Sequence, residues 1–139
     1  MSLPDQELYE KVSDVLIDNG VKWFSTLPDF NETFTEMPYV YCGNVSLQMQ
    51  PNKSALQGTV SITLNTFGSS EQRWQLSTLQ QKLYSLLFPI SETESYRVVV
   101  DPIVTVNTVT EEIIQAPRSS AYGGSKIWHG TLDITYKIY

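Results

Sequence analysis

Three long segments of this chain alternate apolar and polar residues with a period of two, and this alternation restricts the fold more than any other feature. They cover residues 39–49, 59–67 and 128–138. Successive side chains of a strand point to opposite faces, so the alternation predicts β-strands with one buried and one polar face. Strands of this kind are typical of an antiparallel sheet that helices cover on one side only.

In the first of these segments the large side chains occupy odd-numbered positions, which predicts that they share one face of the sheet. This set comprises Tyr39, Tyr41, Val45, Leu47 and Met49. Residues 51–55 have the composition of a turn. The first two segments are therefore predicted to form an antiparallel hairpin.

Two further segments place apolar residues along one side of a helix. The first covers residues 4–19 and ends at Gly20, which tolerates the left-handed conformation of a helix terminus. The second begins at Ser69, which has the capping-box spacing to Gln72, and Pro89 ends it. The residues predicted to be buried are Leu8, Val12, Val15 and Leu16 of the first helix and Leu76, Leu79, Leu83, Leu86 and Leu87 of the second.

The remaining regular segments are a short extended arm at residues 21–27 and a β-rich stretch at residues 96–114. Asp101 and Pro102 interrupt that stretch, which fits an edge strand, a bulge or a bend. Helices and strands do not alternate strictly, so the fold class is α+β rather than a doubly wound parallel sheet. We expect a single domain over residues 1–139, with an antiparallel sheet of about four strands and two helices packed on one face.

The segment at about 115–126 lacks periodicity and is long for a loop in a small domain. Gly123 and Gly124 break regular pairing there, so we expect a flexible loop that becomes ordered against a partner. Arg118 and Tyr122 are the side chains expected to contact that partner, because Arg and Tyr are favoured as interface anchors. The alternative is a solvated hairpin tip without a role.

A second polar loop is predicted at residues 29–38, and it contains the isolated aromatic residues Phe30 and Phe34. Aromatic side chains bury a large apolar area, so these two are expected to pack under the domain or under a neighbouring subunit. They complete the set of predicted interaction residues.

No group of residues has the spacing that catalysis or metal binding requires. His129 is the only histidine, and Asp133 lies roughly 13 Å away if both are on one strand. Cys42 is the only cysteine and is expected to be a packed or half-exposed thiol. We therefore expect no enzyme activity, no catalytic residue, no cofactor and no metal site.

The charge of the chain argues against two classes of partner. Nine basic residues stand against 15 acidic ones, giving a net charge of -6. A binder of nucleic acid or of an anionic membrane needs clustered positive charge, so neither is expected. The low charged fraction of 17% suits a protein that packs against other chains. Three tryptophans, Trp23, Trp74 and Trp128, could instead line a ligand pocket, although core packing is the preferred interpretation.

The order of these elements resembles the tail-terminator, or tail-completion, proteins of long-tailed bacteriophages, including a prophage branch from Gram-positive hosts. The resemblance extends over the whole chain, and the segments that carry it are residues 8–16, 21–28, 37–41, 59–64, 71–87 and 128–134. It is a likeness of order and pattern rather than of one specific motif.

The resemblance implies an α+β subunit that forms a ring, usually a hexamer, on the end of the tail tube. It implies the tail-tube protein and the head-tail connector as partners, with assembly in the host cytoplasm and a final place in the virion tail. The family has no catalytic residues to transfer. Two alternatives stay open: a head-tail connector or minor capsid protein of similar fold, and a small-ligand binding module.

Overall fold

The computed structural model describes residues 3–24, 38–50, 57–113 and 126–139. The elements in chain order are α1 (Pro4–Asp18), β1 (Trp23–Phe24), β2 (Tyr39–Gln50), β3 (Gln57–Ser69), α2 (Arg73–Leu87), β4 (Val98–Val100), β5 (Val106–Ile113) and β6 (Lys126–Ile138).

Both predicted helices are present. Helix α1 is followed by Gly20 at a φ of 74°, the left-handed conformation expected of its terminus. The predicted capping box exists in part: Ser69 N–H donates to Gln72 Oε1 over 2.9 Å, but α2 begins only at Arg73. Within the described ranges, neither helix is long and apolar enough to cross a membrane.

The described strands form one six-stranded sheet in the order β1-β2-β3-β6-β4, and β5 also pairs with β6. The α+β class is confirmed, but the expectation of about four strands in a purely antiparallel sheet was wrong. Strand β1 adds to β2 in parallel, with Val40 N–H donating to Lys22 O over 2.9 Å. A parallel pair needs a long connection, and 14 residues (25–38) separate β1 from β2 in the sequence.

The second additional strand arises from the predicted interruption at Asp101 and Pro102. Strands β4 and β5 pair with successive parts of β6, so the interruption divides one edge strand in two. Hydrogen bonds keep the interrupted backbone against β6: Asp101 N–H donates to Thr135 O over 2.8 Å, and Thr135 N–H donates to Thr105 Oγ1 over 3.3 Å. Of the predicted alternatives, the structure shows an edge strand with a bend, and hydrogen bonds to β6 hold the bent segment in place.

The main core lies between one face of the sheet and both helices. Alternate residues of β3 and β6 face α1 and α2, as their period of two predicts. The buried members of this core are Leu8, Val12, Leu16, Val21, Val40, Val60, Ile62, Leu64, Leu83, Leu87, Ile90, Val98, Val100, Leu132, Ile134, Tyr136 and Ile138. The other face of the sheet has no helix among the described residues, and we call it the open face.

Strand β2 departs from the predicted alternation at Gly43. The pairing with β3 shifts between Cys42 and Asn44, which is the mark of a β-bulge. Val40 therefore joins the core under the helices, together with residues beyond the bulge, whereas Tyr39 lies in a second cluster. The prediction that Tyr39 and Tyr41 share a face with Val45 and the following odd-numbered residues was wrong, because one inserted residue reverses the phase of a strand.

Helix α2 is tied to the sheet by two buried polar contacts. The Tyr136 hydroxyl donates to Leu87 O over 2.6 Å at the end of the helix, and burial raises the pKa of this tyrosine. Gln80, which is 1% exposed, donates from Nε2 to Thr108 O of β5 over 3.1 Å. These bonds satisfy polar groups that burial would otherwise leave without partners.

We expect Leu83→Ala to lower the free energy of unfolding by about 2–5 kcal/mol, because Leu83 is fully buried in the main core. Gln81→Ala, on the exposed side of the same helix, is the matched control and should change it by about 0.5 kcal/mol or less. Chemical denaturation measures both. Equal small effects of the two substitutions would show that α2 does not pack as described.

Candidate assembly surface

All six residues predicted from sequence to contact partners lie outside the described residues. They are Arg118, Tyr122, Gly123 and Gly124 of the long predicted loop and Phe30 and Phe34 of the earlier predicted loop. Their roles stay predictions. The candidate surface is therefore built from the open face and the edges of the sheet.

An aromatic cluster occupies one end of the open face, and it exists because the bulge turns the first residues of β2 to that side. The rings of Tyr41, Phe67 and His129 stack: Tyr41 and Phe67 are 5.7 Å apart at 8°, and Phe67 and His129 are 4.6 Å apart at 14°. Tyr39 and Ile127 are fully buried beside them. This cluster is a second core on the face opposite the helices.

His129 has a structural partner in this cluster. Its Nε2 lies 2.7 Å from Asn65 Oδ1, whereas Asp133 accepts from the Thr63 hydroxyl over 3.4 Å. The two groups thus engage different partners on β3. The structure half-buries His129 against Phe67.

Asn65 also explains why the bulge falls at a glycine. A Cβ added at Gly43 would meet the Asn65 side-chain amide. The glycine leaves room for this amide to lie over the bulge while its oxygen engages His129. Sequence reasoning missed the contact because the two residues are 22 positions apart and neither belongs to a recognisable motif.

The outer edge of the sheet formed by β4, residues 101–105 and β5 carries exposed apolar side chains; we call it the β4–β5 edge. Val99 is 48% exposed, Ile103 89%, Val104 50% and Val106 51%. The residues were visible in the sequence as part of a β-rich stretch. The sequence did not reveal their exposure, because a β-rich stretch of apolar residues looks the same in an edge strand as in a core strand.

The opposite edge is β2, which β1 covers only at Val40 and Tyr41. Beyond the bulge, no strand among the described ranges pairs with the outer side of residues 44–50; we call this segment the open half of β2. Its Asn44, Ser46 and Gln48 side chains are exposed on the open face. Among the described residues, the sheet therefore has an edge without a covering strand on each side.

The three tryptophans occupy separate places and line no common pocket in the part of the chain that the structure describes. Trp23 packs partly buried against the main core, 6.1 Å from Tyr9 between ring centroids. Trp128 donates from Nε1 to Ser70 O over 3.1 Å, and Arg73 lies 5.2 Å from its ring centroid. Trp74 is 81% exposed, so core packing was the wrong expectation for this one residue.

An acidic groove runs between α1 and the segment that links α2 to β4. Glu7 is its buried member, and its Oε1 accepts from Ser95 N–H over 2.7 Å and from the Thr93 hydroxyl over 2.9 Å. Burial acts to raise the pKa of Glu7, but these hydrogen bonds together outweigh it and lower the pKa below its ordinary value of 4.5. The carboxylate thus fixes the linking segment to α1.

The described residues offer little for catalysis or metal binding. They contain no group of three or more His, Cys, Asp or Glu side chains that could hold a metal ion. Cys42 is a half-buried free thiol, as predicted, and burial raises its pKa. A raised pKa keeps the thiol protonated, which is unfavourable for a nucleophile.

We expect Gly43→Ala to destabilise the fold by about 1–3 kcal/mol, since the new methyl group must displace the Asn65 amide. In an Asn65→Ala background the space is free, so the same substitution should cost much less. A double-mutant cycle measured by chemical denaturation gives the coupling between the two positions. Strictly additive effects would show that the amide does not occupy the space over the bulge.

The stability contributed by Glu7 should depend on pH. Its pKa is lower in the folded state, so the contribution is present above the ordinary value of 4.5 and is lost as the pH falls through the folded pKa. The difference in unfolding free energy between wild type and Glu7→Gln should shrink accordingly on acidification. Thr93→Val should weaken this pH dependence, and Thr93→Ser should preserve it. If the difference in unfolding free energy between wild type and Glu7→Gln does not change with pH, the lowered pKa of Glu7 is contradicted.

No family model and no curated protein sequence matches this chain. Its fold is similar to that of a chain in a solved structure described as the virion of a native gene transfer agent (GTA) particle. The TM-score is 0.62, and the match covers 97% of this chain and 93% of that chain at 8% sequence identity. The likeness therefore concerns the fold along nearly the whole length.

Proposed function

We propose that this chain is a structural protein of a phage or prophage particle, where it forms a ring that terminates the tail tube and joins it to the head-side connector. The observation that carries the proposal is the fold shared over 97% of the chain with a component of a virion particle. The resemblance of the sequence to tail-terminator proteins supports the finer role. Both likenesses extend over the entire domain rather than over one motif.

The surfaces of the sheet support a role in assembly. In the part of the chain that the structure describes, no strand covers two edges of the sheet, and one of them carries a row of exposed apolar side chains. These are features of a subunit that is completed by its neighbours. An interface between different patches of identical subunits generates a ring when the rotation closes. Further contacts with the tail-tube protein and the connector are assigned to the loops that carry Arg118, Tyr122 and Phe34.

We propose a structural rather than a catalytic role, because the reactive side chains serve packing. His129 stacks on Phe67, and the Cys42 thiol is held protonated by burial. The excess of 15 acidic over nine basic residues also suits a ring through which DNA passes without binding. Assembly in the host cytoplasm, followed by incorporation into the virion tail, is part of this proposal.

Deletion of the coding sequence from the genome that carries it tests the function. We expect tail tubes of irregular length that are not joined to heads, because polymerisation of the tube is no longer stopped. Electron microscopy of particles released after induction measures both properties, and expression of the chain from a plasmid should restore them.

Tubes of normal length that lack heads would contradict a terminating role and support the connector alternative. Normal, joined particles would overturn a virion role altogether. Plasmid expression of Leu83→Ala is a useful negative control, since a destabilised subunit should fail to restore assembly even when it is produced.

A further inference from the structure

We propose that copies of this chain associate by sheet extension: the open half of β2 in one copy pairs with the β4–β5 edge of the next. This inference rests on the ring-forming role proposed above and adds to it the partner, a second copy of this chain, and the two edges that meet. Both edges belong to the same sheet and lie on opposite sides of it.

The first argument is that each edge, as far as the structure describes it, contains a stretch without the side chains that normally prevent edge pairing. Edge strands are usually protected by charged side chains, by proline or by a covering segment. The open half of β2 reads Asn-Val-Ser-Leu-Gln-Met-Gln and contains neither a charge nor a proline. Strand β4 and residues 106–110 of β5 are also free of both, whereas Asp101 and Pro102 lie in the bend between these two stretches and Glu111 follows the second. Each edge therefore offers at least one uncharged stretch that no strand among the described residues covers, which favours a pairing partner for both.

The second argument is the apolar surface on the β4–β5 edge. Val99 pairs with Lys137, and Val106 pairs with Asp133, so both valines lie on the open face at the outermost strand. Ile103 and Val104 extend this surface along the edge, and all four are about half exposed or more. A neighbouring strand removes apolar area of this kind from water, which favours association.

The third argument is strand direction. Neighbouring strands alternate in direction across the sheet from β2 through β3 and β6 to β4 and β5, because each of these pairings is antiparallel. The two outer edges consequently run in opposite directions. A second copy placed beside the first with the same face up brings its β2 antiparallel to the β4–β5 edge, which continues the existing pattern.

The two edges also lie at the same level of the sheet. The pairings give a row from Gln48 through Thr59 and Lys137 to Val99. A second row leads from Asn44 through Thr63 and Asp133 to Val106. A copy at the same height therefore places Gln48 beside Val99 and Asn44 beside Val106, without a shift along the strands. Strand β1 covers the other half of β2, which limits pairing to this level.

The experiment places one lysine on each edge of the full-length chain. Ser46→Lys alters the open half of β2, Val106→Lys alters the β4–β5 edge, and Gln81→Lys adds the same charge on the exposed side of α2 as a control. All three side chains are exposed, so folding should be retained; circular dichroism and thermal unfolding verify this. Light scattering then gives the mass of each variant over a concentration series.

We expect the wild type and Gln81→Lys to form the same oligomer, and each edge variant alone to remain a monomer of 15.8 kDa. Each edge variant keeps one intact edge, and the two intact edges are complementary. An equimolar mixture of Ser46→Lys and Val106→Lys should therefore form a heterodimer of twice the monomer mass that cannot grow further.

Three results would overturn the proposal: a wild-type chain that is monomeric at millimolar concentration, edge variants that assemble normally, or a mixture that gives no heterodimer. Assembly blocked at one edge alone would indicate a two-fold pairing of like edges instead. The outcome is separable from the function above. If the chain enters particles but the edge variants assemble like the wild type, only the pairing is contradicted. If the chain pairs as described but is absent from particles, only the proposed function is contradicted.

Discussion

The pairing of β3 with β6 is the interaction on which the rest of this structure depends. It joins segments about 70 residues apart along an unbroken register from Gly58 opposite Ile138 to Ser69 opposite Ile127. One side of this two-stranded centre receives both helices, β2 extends it in one direction and β4 and β5 in the other. Because the two strands are far apart in the sequence, their pairing costs loop-closure entropy before the remaining elements can pack.

Hydroxyl groups form the side-chain hydrogen bonds that join β3 to β6 on the polar side of the central pair. The Ser61 and Thr135 hydroxyls lie 2.9 Å apart across the two strands, and Thr63 donates to Asp133 over 3.4 Å. Cross-strand pairs of this type contribute modestly but specifically to a sheet. They line the polar side of the central pair with side chains that bond to each other across the strands.

The two ends of the open face differ in character, and the bulge at Gly43 accounts for the difference. Before the bulge, β2 directs Tyr39 and Tyr41 to the open face, where they join the stack on Phe67. Beyond it, the strand directs small polar side chains to the same face and leaves its outer edge accessible. A single inserted residue thus separates a packed aromatic region from the polar region that ends in the two accessible edges.

The sequence by itself determined the α+β class, both helices with their buried stripes, the antiparallel pairing of β2 with β3 and the interruption at Asp101, because each depends on local periodicity or on local turn chemistry. Only the tertiary structure decided the phase of β2, since a bulge is placed by the fit between Gly43 and the distant Asn65. It likewise decided the parallel addition of β1 and the exposure of Trp74, because a periodic pattern states which residues share a face but not what covers that face.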